Sequence, residues 1–169
     1  DMFAKKDGEM FFSLVQTHVQ ALCHIQDKML VGVRKNGIYL FSPDGKQVLG
    51  KYHTPMATSW KSFLYYSRNT QFVYYGNGIG TKSMAFQIHG HRILPAKPFL
   101  LPDNLTSVID YKGGVVFGID GKGIILQKGN DIQSFNTQNS NLSNDAVYSL
   151  VVSPQNVLWI GTYRGGLNM

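Results

Sequence analysis

The sequence predicts an all-β protein made of β-propeller blades, and three observations support that fold class. An apolar run ends in a glycine four times, at Gly32, Gly76, Gly118 and Gly161, so the spacing between the glycines is 44, 42 and 43 residues. A fixed period of this size is typical of propellers and solenoid arrays. A β-rich segment precedes each run, a glycine-bearing turn and a further apolar strand follow it, and helical periodicity is absent. We therefore expect blades of four antiparallel strands, about four blades' worth in total.

The four glycines are the predicted anchors of the repeat, and further glycines mark its turns. Gly37, Gly123 and Gly166 each lie five positions after an anchor, while Gly80 lies one place early in its copy. Glycine supplies the positive φ that a tight hairpin requires. A second turn recurs at Gly8, Gly45, Gly90 and Gly129. Each repeat is thus expected to contain two hairpins of short strands.

The strand that leads to each anchor has apolar residues on both faces. One face is formed by Met29, Val73, Val115 and Leu158, and the other by Leu30, Tyr74, Val116 and Trp159. A strand covered on both sides reads as a continuous apolar run, whereas a sheet with one wet face alternates. Blades stacked around an axis provide this double cover. We expect Trp159 to be a blade-packing anchor of this kind.

The repeat divides the chain into five segments. They are the outer strands of a blade (1–15), three blades (16–54, 55–99 and 100–138) and the inner strands of a blade (139–169). The first segment is assigned because DMFAKKDGEMFF aligns with IYLFSPDGKQVL, and the last because it holds only the first two strands. Either the two halves close a small ring of about four blades, or the chain is a fragment of a larger propeller. We favour the fragment, whose open edge would pair with the remaining blades of the same propeller or with a second copy of the chain.

Composition excludes several classes of function. The net charge is +6, but no run of basic residues is longer than two, which argues against a nucleic-acid partner. Cys23 is the single cysteine, so no internal disulfide can form, and we expect it to be a small buried apolar group. His89 and His91 flank a turn glycine without a third ligand nearby, so we predict no metal and no cofactor. The apolar stretches are too short to span a bilayer, so any membrane contact would need segments outside this chain.

The stretch NLSNDAVYSLVVSPQNVLWIGTYRGGLN, at 141–168, resembles the two-component regulator propeller repeat. The matching positions are Leu142, Ser143, Asn144, Val147, Ser149, Leu158, Trp159, Ile160, Gly161, Thr162, Gly165, Gly166 and Leu167. The resemblance implies a piece of a propeller, commonly seven-bladed, from the periplasmic sensor region of hybrid two-component histidine kinases. It also implies help in detecting oligosaccharides released from polysaccharides. The copies at 18–45, 57–90 and 104–126 are degenerate.

The candidate ligand-binding residues lie in the turns between the second and third strands, which a propeller places on one face over its axis. They are Arg34, Lys35, Asn36, Asn77, Lys82, Asp120, Lys122, Tyr163 and Arg164, together with Trp60 as an aromatic near a loop. Each turn has at least one cation. The turns could form a basic funnel for an anionic oligosaccharide, since guanidinium groups grip carboxylate or sulfate. Alternatively, these residues are charged because turns are exposed.

Three functions remain open on the sequence. The first is a ligand-sensing propeller without enzyme activity of its own. The second is a scaffold for protein partners, and the third is a propeller-based polysaccharide-cleaving enzyme. Acid–base hydrolysis needs two facing carboxyls, and Glu9 is the only glutamate while Asp7, Asp44 and Asp120 fall at turns. The enzyme is therefore the least favoured of the three.

Overall fold

A computed structural model describes residues 4–6, 9–11, 19–33, 37–53, 62–76 and 82–169. Every regular element in these ranges is a strand. The strands are β1 (Ala4–Lys6), β2 (Glu9–Phe11), β3 (Val19–Ile25), β4 (Lys28–Val33), β5 (Gly37–Phe41), β6 (Val48–Tyr52), β7 (Phe63–Tyr66), β8 (Val73–Gly76), β9 (Met84–His89), β10 (Arg92–Ala96), β11 (Leu105–Tyr111), β12 (Gly114–Ile119), β13 (Gly123–Lys128), β14 (Asp131–Phe135), β15 (Val147–Val152), β16 (Leu158–Thr162) and β17 (Gly166–Asn168). The all-β prediction is confirmed.

The strands form antiparallel sheets in chain order, as a propeller requires. Blade 1 contains β3–β6, blade 2 contains β7–β10 and blade 3 contains β11–β14, each with four strands. Blade 4 contains β15–β17, which is one strand more than the two expected for the last segment. The strands β1 and β2 pair with each other as a separate hairpin. The β-propeller architecture is therefore confirmed.

The hydrophobic core lies between consecutive blades. We call the side of a blade that faces the next blade its forward face and the other side its backward face. Leu30 of blade 1 packs with Val73 of blade 2, Tyr74 of blade 2 with Val115 of blade 3, and Val116 of blade 3 beside Leu158 of blade 4. Successive residues of one strand thus serve two different interfaces. This confirms the predicted double apolar cover for β8 and β12, whereas Met29 on β4 is 36% exposed and Trp159 on β16 is half-buried.

Three anchor glycines, Gly76, Gly118 and Gly161, lie so close to the first strand of their own blade that an added Cβ would overlap one of its side chains. Gly32 pairs with Ala21, Gly76 with Phe63, Gly118 with Ser107 and Gly161 with Ser149. An added Cβ at Gly118 would overlap the Ser107 hydroxyl and lie 2.9 Å from Cγ1 of the buried Val147. A side chain there would therefore push neighbouring blades apart.

The predicted turn glycines adopt the conformation that the sequence required. Gly37, Gly123 and Gly166 have φ values of 103°, 78° and 76°. Gly45, Gly90 and Gly129 of the second turn have φ values between 60° and 70°. Gly80 and Gly8 lie outside the described residues. The hairpins therefore turn through left-handed backbone, which L side chains rarely adopt.

Cys23 and the tyrosines show how tightly the first interfaces are packed. Cys23 lies on the forward face of β3, is 9% exposed and is buried as predicted. Burial raises the pKa of its thiol to about 11. Burial also raises the pKa of Tyr74 and Tyr75 in blade 2. No helix among the described residues is long and apolar enough to cross a membrane.

Candidate ligand-binding face

One end of the propeller carries both the turns between second and third strands and the links between blades. Antiparallel strands alternate direction, so these two kinds of connection must lie at the same end of every four-stranded blade. We call this end the turn face. Among the described residues, the turn face includes 82–83, 99–104, 120–122, 136–146 and 163–165. It is the face on which the sequence placed the candidate site.

Backbone hydrogen bonds join the turns of blades 3 and 4 through the links. The Asp120 amide donates to the Asn104 carbonyl at 3.1 Å. The Gly123 amide donates to the Asp145 carbonyl at 2.7 Å, and the Tyr163 amide to the Ala146 carbonyl at 2.8 Å. Because Asp145 and Ala146 are adjacent, the turn at 120–123 and the turn at 163–165 are fixed to one short stretch. The fold therefore brings Asp120, Lys122, Tyr163 and Arg164 into one rigid surface.

Blade 2 joins this surface through a side-chain contact. The Ser83 amide, next to Lys82, donates to the Asp103 carboxylate at 3.3 Å. Asp103 directly precedes Asn104, which accepts from the next turn. The carboxylate of Asp145 accepts from the Thr137 amide at 2.7 Å and from the Thr137 hydroxyl at 3.0 Å. The Asp103 carboxylate therefore ties a turn to a link, whereas the Asp145 carboxylate holds together the single link 136–146.

The serine of the entry motif holds the last turn in place. The Ser143 hydroxyl donates to the Gly165 carbonyl at 2.6 Å, and the Ser143 amide donates to Oδ1 of Asn168 at 2.9 Å. Thr162 Oγ1 donates to the Gly166 carbonyl at 3.1 Å. A Cβ at Gly165 would lie 2.5 Å from Thr162 Oγ1 and 2.6 Å from Ser143 Oγ. The motif residues thus fix the base of the turn by hydrogen bonds, and the tip of the turn stays exposed to solvent.

The tip of this turn presents an aromatic ring and a guanidinium group together. Tyr163 is 47% exposed, and the Arg164 guanidinium lies 5.0 Å from the centre of its ring. The ring of Tyr148, half-buried on β15, packs edge-on against Tyr163 at 5.6 Å between centroids. Arg164 has a φ of 55°. Non-glycine residues in this region are uncommon, and the surrounding hydrogen bonds hold this one there.

The cations on the described part of the turn face are not neutralised by ion pairs. Within the described ranges the one ion pair joins Lys28 to Asp27, at the opposite end of blade 1. Lys82, Lys122 and Arg164 are all exposed on the turn face. Asp120 is half-buried beside them. These cations can therefore contact an anion without first breaking an ion pair, although Asp103, Asp120 and Asp145 lie on the same face.

The other predicted site residues lie outside the described ranges. These are Arg34, Lys35, Asn36, Trp60 and Asn77. Trp159 is half-buried on the forward face of β16, not fully enclosed, because no described strand packs against that face. The sequence did not predict three groups of this face: Tyr148, the Ser143–Asn168 pair, and the carboxylates of Asp103 and Asp145. The entry motif was a signal for Ser143, whereas nothing local marked Asp103 or Asp145.

Comparisons with known proteins agree with this architecture. Residues 141–164 match the two component regulator propeller family. The predicted resemblance is therefore confirmed for the C-terminal repeat. No curated protein matches the sequence significantly.

Solved structures share the fold at low sequence identity. The computationally designed Ika4 protein aligns with a TM-score of 0.61 and 19% identity, covering 90% of each chain. The extracellular domain of a putative hybrid two component system from B. thetaiotaomicron aligns with a TM-score of 0.65 and 21% identity, covering 92% of this chain and 21% of that one. The extracellular domain of a putative one component system from the same organism gives a TM-score of 0.51 and 13% identity, covering 97% and 28%. This chain therefore spans between a fifth and a third of those two extracellular domains.

Proposed function

We propose that this chain is a ligand-recognition propeller from the extracytoplasmic part of a two-component signalling protein, and that its turn face binds an anionic oligosaccharide. The observation that supports this most is the pairing of Arg164 with the exposed Tyr163 ring on a turn fixed by Ser143. A sugar ring stacks on an aromatic face, while a guanidinium group grips a carboxylate or sulfate. The repeat family that residues 141–164 match supports the signalling context.

The location and the absence of enzyme activity are parts of the same proposal. Two structural neighbours are extracellular domains of signalling proteins, which supports a periplasmic location for this chain. Folds do not determine function, so the non-enzymatic role rests on the site itself. The Asp103 carboxylate accepts a hydrogen bond that ties a turn to a link, and the Asp145 carboxylate accepts hydrogen bonds within one link. Those two carboxylates therefore serve the scaffold, and any signal would pass to a histidine kinase region through other segments.

Calorimetric titration tests the proposal. The wild-type chain is titrated with oligomers of galacturonic acid and with oligomers of galactose of the same length. We expect binding of the acidic oligomer only, weakening as salt rises because exposed charges are screened. Arg164→Ala should weaken that binding about tenfold or more, since a charged hydrogen bond contributes about 1.5–3 kcal/mol.

Lys112 supplies a matched control on the opposite end of the propeller. It also has a positive φ, of 46°, and its ammonium lies 4.9 Å from the ring centre of a neighbouring tyrosine, Tyr111. Lys112→Ala should leave the titration unchanged. Equal weakening by both substitutions, or equal binding of the neutral oligomer, would reject the proposed site.

A further inference from the structure

The outermost strand of a blade has one edge that no strand of its own sheet pairs with, and the three four-stranded blades differ at this edge. In each of them a row of paired residues runs from the third residue before the anchor glycine to the outermost strand, where it ends at Val48, Pro95 or Ile132. The register shifts beside Val48, as at a β-bulge, and Pro95 has no N–H to donate. Bulges and prolines keep an edge strand from pairing with another chain. Strand β14, which carries Ile132, has neither device at this position.

The backbone of Ile132 points away from its own sheet. Lys128 and Asp131 flank the two-residue turn between β13 and β14, so they form a hydrogen-bonded pair. Such pairs alternate along a ladder, which directs the N–H and C=O of Ile132 and Ser134 outward. The Ser134 carbonyl accepts from Asn139 Nδ2 at 2.9 Å, which agrees with this direction. Within the described ranges, no backbone group from outside the sheet bonds to Ile132.

Further blades of a propeller would not cover this edge. Blade 3 already packs against blade 2 on one face and against blade 4 on the other. Blades stack face to face around the axis, and the free edge of the outermost strand points away from that axis. The edge of β14 is therefore open whatever the number of blades.

The side chains beside the edge are apolar and basic. Ile132 lies on the backward face of β14 and is 43% exposed, and Leu94 lies opposite it on the forward face of β10 and is 41% exposed. Arg92, on the same face of β10, and Lys97, directly after β10, are exposed. Asp131 lies on the other face of β14. The two strand faces that enclose this space thus carry cations and no carboxylate.

We propose that an extended, acidic segment of a partner protein pairs with the outer edge of β14. Its backbone bonds to the N–H and C=O of Ile132, which is a common way for a sheet to bind a peptide. One apolar side chain of the segment packs against Ile132 and Leu94, and acidic side chains two residues before and after it meet Arg92 and Lys97. The net charge of +6 repels a second copy of this chain and attracts an acidic partner. This association does not depend on any ligand of the turn face.

Fluorescence anisotropy with synthetic peptides tests the pairing. The probe is the dye-labelled peptide Glu-Thr-Ile-Thr-Glu with capped ends, in which the isoleucine and both glutamates share one face of a strand. We expect it to bind the wild-type chain. The same peptide with an N-methylated isoleucine lacks the N–H that the Ile132 carbonyl accepts, and Lys-Thr-Ile-Thr-Lys has the opposite charge. Each of these two peptides should bind at least about tenfold more weakly.

Variants of the chain locate the binding edge. Ile132→Pro places in blade 3 the residue that blade 2 carries at the equivalent position, Pro95, so it removes the N–H in a way that an edge strand tolerates. It should abolish binding of the acidic peptide. Arg92→Glu combined with Lys97→Glu should reverse the preference, so that the lysine peptide binds instead. The far-ultraviolet circular dichroism of each variant should match wild type, which shows that it is folded.

Two control substitutions exclude other surfaces. Lys128→Glu changes an exposed lysine on the other face of blade 3, and Arg164→Ala changes the turn face. Both should leave the affinity for the acidic peptide unchanged. Equal binding of the three peptides, no binding of the acidic peptide, or full binding to Ile132→Pro would overturn the proposal. So would a wild-type chain of twice 18.9 kDa by light scattering that Ile132→Pro returns to single mass, since a second copy would then occupy the edge.

Discussion

Blade 3 and blade 4 contain the same repeat, but they differ in which part of it is well defined. Blade 4 matches the repeat family closely, yet its tryptophan is only half-buried. Blade 3 has Val116 at the position of the tryptophan, and both Val116 and the adjacent Phe117 are fully buried, against blade 4 and blade 2 respectively. The motif residues of blade 4 instead make the hydrogen bonds of the last turn, through Ser143 and Thr162. How closely a repeat matches the family motif therefore depends on the residues that form its turn. The burial of its core side chains depends instead on the neighbouring blades.

This difference has a consequence for function. A turn fixed by its own motif can present Tyr163 and Arg164 without help from the blade interior. A core fixed by two neighbours can instead accept degenerate sequence as long as apolar volume is kept. The proposed binding and the stability of the fold thus involve different residues of the same repeat. Each of the predictions that follow compares a covered blade with blade 4.

The largest expected effect is the loss of a large side chain from a covered blade. Phe117→Ala should lower the free energy of unfolding by about 3–5 kcal/mol, because it leaves a cavity among Tyr74, Val108 and Val115. Trp159→Ala should cost clearly less, since that side chain is half-exposed. Urea unfolding followed by circular dichroism measures both. Equal losses would show that blade 4 is covered in solution and that the contrast between the blades is wrong.

The second prediction uses Cys23, which occupies in blade 1 the position of Val151 in blade 4. Burial raises its pKa from 9.0 to about 11. The folded state then disfavours the thiolate, so this stability is present below pH 9 and is lost as the pH rises through 11. Wild type should lose about 2–3 kcal/mol over this range relative to Cys23→Ala. Parallel stability curves for the two proteins would mean that the forward face of β3 is open to water.

The smallest effect compares two anchor glycines. Gly118→Ala should cost about 1–3 kcal/mol, since the new methyl group would press on the buried Val147. Gly161→Ala meets only the hydroxyl of exposed Ser149 at close range, which can rotate away. Gly161→Ala should therefore lower the stability less than Gly118→Ala does. Adding Ser149→Ala to the Gly161→Ala variant should remove most of that loss. Thermal unfolding midpoints measure the three variants, and a Gly161→Ala cost equal to that of Gly118→Ala would contradict the account.

The strands and their turns could be predicted from the sequence because both depend on local chemistry repeated at one period. Gly123 and Gly166 mark hairpins by their conformational freedom alone, and Val115 and Val116 show double cover by their adjacency. The ties of the turn face could not be predicted in this way. The Asp145 carbonyl meets the Gly123 amide only when the link to blade 4 lies beside the turn of blade 3. The half-exposure of Trp159 likewise depends on a neighbour and not on the motif.

The proposed binding face could be predicted in outline only. Topology placed Tyr163 and Arg164 on the turn face, since antiparallel strands fix which turns share an end. The position of the Arg164 guanidinium over the Tyr163 ring, and the edge-on contact of Tyr163 with Tyr148, depend on side-chain geometry around one turn. The charge of Asp120 and Lys122 was visible in the sequence, but their hydrogen-bonded connection to the last turn was not.

Mapping of backbone amide signals by nuclear magnetic resonance during titration with galacturonic acid oligomers tests the central claim most directly. The account predicts shifts at 163–165 and at 120–123, with no change at Lys112 and Gly113 on the opposite end. Shifts confined to that opposite end, or an unchanged spectrum at saturating oligomer, would contradict the assignment of the turn face as the binding surface.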